Sequence, residues 1–163
     1  FTIKDEAGEI CAFANSVWVY MDTATMRPVR IAKEVQDAYI PVMDEAIQYE
    51  WADRKIRIEG TPVEKEPVLV QRFHIDTNHH MNNGKYILVA EEYLPEGFVI
   101  EEMQAEYKKA AMLHDVIVPR VAREDGRLTV ALTDAGGSPY AVMVFQPKTK
   151  ETRVQEYTAA KTE

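Results

Sequence analysis

The sequence has very little cysteine, no long apolar run and no cluster of basic residues. Its 163 residues hold one cysteine, Cys11, which excludes an internal disulfide and a multi-cysteine zinc site, and fits a reducing compartment, with the cytoplasm as the default. No stretch approaches the roughly 20 apolar residues needed to cross a bilayer, so no membrane span is predicted. The formal net charge of -8, without clustered Lys and Arg, argues against a nucleic-acid partner.

The remaining composition is that of an ordinary folded protein. Hydrophobic residues make up 46% and charged residues 28%, which disfavours disorder. The length allows one ordinary domain or two small ones. Because the chain opens on Phe1 in what reads as a strand already in progress, we expect further sequence upstream.

The first third of the chain reads as a hairpin followed by a helix. Residues 1–4 and 9–21 are rich in strand-forming side chains and are joined by a turn that contains Gly8. Arg27 and Pro28 then stop the second strand. Apolar residues recur at helical spacing over residues 33–47, where Pro41 predicts a kinked or divided helix. Residues 48–67 are charged and aperiodic, as in a linker.

The order of elements in the second half predicts an antiparallel sheet around one helix. Strand patterns cover residues 68–75, 98–109, 116–123, 127–133 and 140–146, and a helix pattern covers residues 81–94. Apolar residues surround most of this helix, so we expect a curled sheet to enclose it. This is an α+β architecture of the hotdog type, although a plain α+β sandwich with a solvent-facing helix fits the same order.

The segment before the predicted helix is crowded with polar and titratable groups. Asp76, Asn78 and His80 have i, i+2, i+4 spacing, so in an extended segment their side chains project to one side. This requires the helix to begin at about His80 or later. Backbone N–H groups at a helix start lack intrahelical partners and can stabilise an oxyanion. The segment is therefore suited to acyl transfer.

Two other interpretations of the segment stay open. Asx residues before a helix are usually caps, and exposed histidines are usually solvated. A metal site would draw on His74, Asp76, His79 and His80. It is disfavoured because adjacent residues of a strand point to opposite faces, and no metal is predicted.

At this segment the sequence resembles the acyl-acyl carrier protein thioesterases, with D-T-N-H-H-M-N-N-G-K-Y at residues 76–86 matching their D-x-N-x-H-x-N-N-x-x-Y signature. A second match, F-x-I-x-D-x-x-G through S-V-W-V-Y-M-D and R-P-V-R-I, covers residues 1–31. The resemblance implies a tandem hotdog protein whose first hotdog is incomplete. Residues 1–47 then belong to the first domain, 48–67 to the linker, 68–147 to the second domain and 148–163 to a polar tail without assigned function.

The resemblance also implies the site and its chemistry. Asp76, Asn78 and His80 match the family's catalytic set, and no cofactor is implied. The family's downstream E-Y-K-K-E or D-Y-R-R-E-C places a catalytic Glu, and in plant members a Cys, where this chain has Ala110 and Ala111. The catalytic constellation is therefore altered. Cys11 lies in the other domain and is expected to be a packed thiol rather than a nucleophile.

The predicted function is hydrolysis of fatty acyl-acyl carrier protein by water activated at the Asp76, Asn78 and His80 site. The implied partner is acyl carrier protein, and a homodimer is left open. Because carrier and chain are both acidic, docking must use local cations. The candidates are Arg27, Arg30, Lys33, Lys85, Lys108 and Lys109. The alternatives are a hotdog acyl-CoA thioesterase and a non-catalytic acyl-thioester-binding protein.

Overall fold

The computed structural model describes residues 1–25, 27–38, 47 and 49–148. The chain divides into two compact units, with the boundary between Tyr49 and Glu50. The domain limits expected from the sequence stay a prediction. Across the part of the chain that is described, no helix is both long and apolar enough to cross a membrane.

The described residues of the N-terminal unit form short antiparallel strand pairs and one short helix. Strands at residues 2–4 and 10–13 form the predicted hairpin. Its Gly8 has a φ of +87°, and Asp5 Oδ1 accepts hydrogen bonds from the N–H groups of Ala7 and Glu9 at 2.9 Å. The elements are β1 Thr2–Lys4, β2 Ile10–Phe13, β3 Met21–Asp22, β4 Arg27–Pro28 and α1 Lys33–Asp37. The four strands form two separate two-stranded sheets, β1-β2 and β3-β4, which is consistent with an incomplete first hotdog.

Several expectations for this unit were wrong. β2 ends at Phe13 rather than continuing to residue 21, and the side chain of Trp18 is 80% exposed. Arg27–Pro28 pairs with β3 instead of stopping a strand. The Cys11 thiol is exposed rather than packed. Of the predicted helix, α1 is described, and the break at Pro41 lies outside the described residues.

Over residues 50–148, the described part of the C-terminal unit, there are one α-helix, one 3-10 helix and six strands. Strands at residues 100–107, 116–124, 127–133 and 139–147 confirm the four strands predicted for this region. The expected strand over residues 68–75 is wrong, because only residues 68–69 form a strand there and a 3-10 helix follows. The elements are β5 Val63–Glu64, β6 Val68–Leu69, the 3-10 helix Arg72–His74, α2 Asn83–Glu91, β7 Ile100–Tyr107, β8 Val116–Glu124, β9 Arg127–Thr133 and β10 Pro139–Pro147.

All the strand pairs of this unit are antiparallel. The order across the sheet is β5-β8-β9-β10-β7, and β6 also pairs with β8. β5 lies in the segment expected to be a linker, and Val63 is paired there with Val121 of β8. Part of this segment therefore belongs to the sheet.

Helix α2 packs on one face of the sheet. Alternation along each strand turns side chains to both faces, and the face towards α2 carries Leu128, Val130, Leu132, Ala141, Met143 and Phe145. Tyr86 and Ala90 of α2 are buried in the same core. Leu88, in contrast, is 53% exposed, so the prediction that the helix is enclosed on most of its circumference was too strong. The hotdog architecture itself is confirmed.

Candidate active site

The three predicted catalytic residues lie in one tight loop between β6 and α2. Ile75 and Met81 form an isolated antiparallel bridge, and residues 76–80, here called the site loop, connect them. The Asp76 N–H donates to the His80 carbonyl at 2.9 Å, and the His79 N–H donates to the Asp76 carbonyl at 3.1 Å. His79 adopts a φ of +62°, which closes the turn. The segment thus folds back on itself before the helix begins.

The prediction of an extended segment was therefore wrong. Asp76 Oδ1 accepts a hydrogen bond from the Asn78 N–H at 2.8 Å, the arrangement of an Asx turn, which curls the chain. The turn still holds Asp76, Asn78 and His80 within a single loop. Asp76 and His80 are partly buried and Asn78 is exposed. No hydrogen bond from the described residues reaches the second oxygen of this carboxylate, Oδ2.

The start of α2 leaves a backbone donor beside this loop. Asn82 caps the helix, its Oδ1 accepting from the Gly84 N–H at 2.9 Å. A Cβ at position 84 would lie 3.3 Å from that oxygen, so glycine suits the close approach. The Asn83 N–H has no acceptor among the described residues, and it lies at the positive end of the helix dipole. The expectation that the helix begins at about His80 or later is confirmed.

His74 supports the site loop from the 3-10 helix. Its side chain is 7% exposed, and its Nδ1 accepts a hydrogen bond from the Gln71 N–H at 2.9 Å. Its carbonyl accepts from the Asn82 N–H at 2.8 Å, directly before α2. Burial lowers the pKa of the imidazole below its ordinary value, and the positive charge of Lys85 acts in the same direction. The fold therefore favours neutral His74.

This preference predicts a pH dependence of stability. Above an ordinary histidine pKa of about 6.5 the imidazole is neutral in both states, and below it the unfolded chain takes up the proton first. The free energy of unfolding should therefore fall as the pH is lowered through 6.5 towards the lowered folded pKa. The pH dependence of the free energy of unfolding can be measured by urea unfolding at several pH values between 5 and 8.

The matched variants are His74→Asn, whose amide oxygen keeps an acceptor for Gln71 but does not titrate, and His114→Asn at an exposed position. We expect His74→Asn to flatten the decline below pH 6.5 and His114→Asn to leave most of it. Equal slopes in the wild type and His74→Asn would contradict the role of His74.

Sequence reasoning missed a set of tyrosines around the helix start. The Tyr107 hydroxyl donates to the Asn83 carbonyl at 3.1 Å, and the Tyr86 hydroxyl accepts from the Ala111 N–H at 2.8 Å. The two rings lie edge to face with centroids 5.8 Å apart. Tyr86 ends the signature and could have been noticed there. Nothing local to Tyr107 predicts its contact, which joins residues 24 positions apart.

The segment that carries Ala110 and Ala111 adjoins the site loop. The Ala111 carbonyl accepts a hydrogen bond from the Met81 N–H at 2.9 Å, at the end of the loop. Ala111 is fully buried, whereas Ala110 is exposed. Neither position supplies a carboxylate or a thiol. Within the described ranges, no three or more His, Cys, Asp and Glu side chains are placed to hold a metal ion.

Two family models match the chain. The model "Acyl-ACP thioesterase N-terminal domain" matches residues 1–39, and "Acyl-ACP thioesterase C-terminal domain" matches residues 60–134. The chain is also 24% identical over 149 residues to the oleoyl-acyl carrier protein thioesterase 1 of Arabidopsis thaliana, covering 83% of this chain and 39% of that relative. The chain therefore spans about two fifths of the length of this curated relative.

Solved structures share the fold. An acyl-ACP thioesterase from Bacteroides thetaiotaomicron aligns with a TM-score of 0.76 at 20% identity, covering 90% of this chain and 60% of that one. An oleoyl thioesterase from Lactobacillus plantarum, whose assignment is described as putative, aligns with a TM-score of 0.70 at 23% identity, covering 94% and 62%. The two domain models occur in family order and together match more than half of the chain, so this protein belongs to the acyl-ACP thioesterase family.

Proposed function

We propose that the complete protein hydrolyses the thioester of fatty acyl-acyl carrier protein and releases the free fatty acid. The observation that carries the proposal is that Asp76, Asn78 and His80 lie in one loop, two residues before α2, where the Asn83 N–H has no acceptor among the described residues. Family membership supports the same reaction.

The chemistry needs an activated water and a place for developing negative charge. The thiol that leaves has an ordinary pKa of about 8.5, so its departure requires little protonation. His80 acts as the base that takes a proton from water, and Asp76 orients the imidazole and stabilises its charged form through its second carboxylate oxygen. Asp76 and His80 could exchange these roles.

The acyl carbonyl is proposed to lie at the helix start. There the Asn83 N–H, at the positive end of α2, can donate to the oxygen as it becomes an oxyanion. The side chain of Asn78 is exposed in the same loop and is free to position the carbonyl or the water. The water attacks the carbonyl carbon, the bond to sulfur breaks, and the proton held by the base passes to the departing thiolate.

The proposed substrate arrives on an acidic protein, so its docking depends on local cations. Three candidates are engaged with carboxylates within the structure. These pairs are Lys33 with Asp37, Lys108 with Glu106, and Lys109 with Asp134. Arg27, Arg30 and Lys85 have no carboxylate partner among the described residues, which makes them the better candidates.

The test compares one acyl chain presented on acyl carrier protein and on coenzyme A to the complete protein. We expect release of fatty acid and of the carrier thiol at equal rates, with the larger kcat/KM for the carrier-protein thioester. Faster hydrolysis of the coenzyme A thioester would assign the protein to the acyl-CoA alternative. Ala110 and Ala111 supply neither a carboxylate nor a thiol, so the protein could bind the thioester without hydrolysing it. Tight binding without turnover would overturn the proposal and indicate a binding protein.

A further inference from the structure

Tyr86 is a buried tyrosine whose hydroxyl has no part in the chemistry proposed above. It lies in the first half of α2 and is 2% exposed. Its oxygen accepts the N–H of Ala111 at 2.8 Å, from a residue 25 positions away and fully buried. Because a buried amide has no access to water, the phenol oxygen is what satisfies this donor. The contact joins the helix to the segment that follows β7.

The same segment is joined to the end of the site loop. The Ala111 carbonyl accepts from the N–H of Met81 at 2.9 Å, and Met81 is itself 2% exposed and bridged to Ile75. The hydrogen bonds therefore run from Tyr86 through the two backbone groups of Ala111 to Met81. Met81 directly follows His80, so this chain of bonds ends beside the proposed base.

We infer that Tyr86 is a positioning residue that fixes the site loop relative to the start of α2. The inference rests on the proposed function, because it concerns the geometry of the same site. Within the site loop the hydrogen bonds are local turn bonds among Asp76, Asn78, His79 and His80, which shape the loop but do not place it. Two bonds just after the loop join it to its surroundings: the Asn82 N–H donates to the His74 carbonyl, and the Met81 N–H donates to the Ala111 carbonyl. Tyr86 in turn holds Ala111 through its N–H. A displacement of about 1 Å at a reacting group can lower the rate by about 100-fold.

Substitution of Tyr86 by Phe removes one oxygen and keeps the ring that packs against Tyr107. For Tyr86→Phe in the complete protein we expect kcat for acyl carrier protein thioester to fall at least about 10-fold with KM changed less than about 2-fold. A lower kcat with a nearly unchanged KM indicates that the reacting groups are no longer well positioned, while binding of the substrate in its ground state is kept. Thr133→Val is the matched control, since it removes a buried hydroxyl that bonds the Val118 carbonyl at 3.0 Å within the sheet.

Hydrogen exchange tests the connection from Tyr86 through Ala111 to Met81 independently of catalytic activity. In Tyr86→Phe the N–H of Met81 should exchange faster than in the wild type, while Thr133→Val leaves it unchanged. An unaltered Met81 exchange rate would overturn the inference, as would a kcat within 2-fold of the wild type or an equal loss of kcat in Thr133→Val. If the wild type shows no thioester hydrolysis, the proposed function fails, and the exchange comparison alone decides whether Tyr86 holds the loop.

Discussion

Replacing His80 by Asn should lower the turnover of acyl carrier protein thioester by at least about 100-fold, because a positioned general base contributes roughly 100-fold to 10,000-fold. The asparagine amide cannot take a proton from water at neutral pH. KM should change little, since His80 is assigned to the water and not to the acyl chain. The measurement is steady-state hydrolysis by the complete protein between pH 6 and 8.

His79→Asn is the matched control for this experiment. His79 is the exposed neighbour of His80, and its φ of +62° is one that asparagine adopts more readily than most residues. The two variants therefore remove the same imidazole from adjacent positions of one loop. Retention of near-normal turnover by His80→Asn, or an equal loss in His79→Asn, would contradict the assignment of the base.

Replacing Ala110 by Glu should raise turnover by about 10-fold or more. The resemblance to the family implies a catalytic Glu at this position, and in this chain the neighbouring backbone is held through Ala111, which bonds Tyr86 and Met81. Ala110 is exposed, so a longer side chain there needs no space in the core. Ala111→Cys is less suitable, because Ala111 is fully buried and a larger side chain would have to be packed.

Ala110→Gln separates the charge from the added size. It has nearly the same shape as Glu and cannot act as a base or hold a negative charge. We expect kcat on acyl carrier protein thioester to rise in Ala110→Glu and to stay unchanged in Ala110→Gln. A similar gain in both variants, or no gain in Ala110→Glu, would show that the missing carboxylate does not limit this protein.

The strands of the second half of the chain could be predicted because turn-forming residues mark where they begin and end. The predicted strand over residues 127–133 agrees with β9 at both ends, since the turn at Asp125 and Gly126 precedes it and Asp134 begins another turn. Residues 16–20 have equally strong strand propensity, yet they form no strand in the structure. β propensity reports suitability for a half-buried sheet surface, and the partner that makes a strand is not encoded locally.

The sequence predicted that Asp76, Asn78 and His80 lie together but not the geometry of their loop, and their catalytic role stays a prediction. The i, i+2, i+4 spacing of the three residues was interpreted as an extended segment over residues 76–80. In the structure the Asp76 carboxylate accepts a hydrogen bond from the Asn78 N–H, and His79 adopts a left-handed backbone conformation. Short polar side chains compete with regular backbone structure in this way, and residue spacing does not reveal it. The contact between Tyr86 and Ala111 joins residues 25 positions apart, so it is seen in the folded structure and could not be predicted from local sequence.

The most direct measurement is a crystal structure of the complete protein with an acyl-pantetheine analogue in which a stable amide replaces the thioester. We expect the analogue's carbonyl oxygen to lie within hydrogen-bonding distance of the Asn83 N–H, and His80 to lie within reach of a water that faces the carbonyl carbon. An analogue bound with its carbonyl remote from the start of α2 and from residues 76–80 would rule out the proposed site.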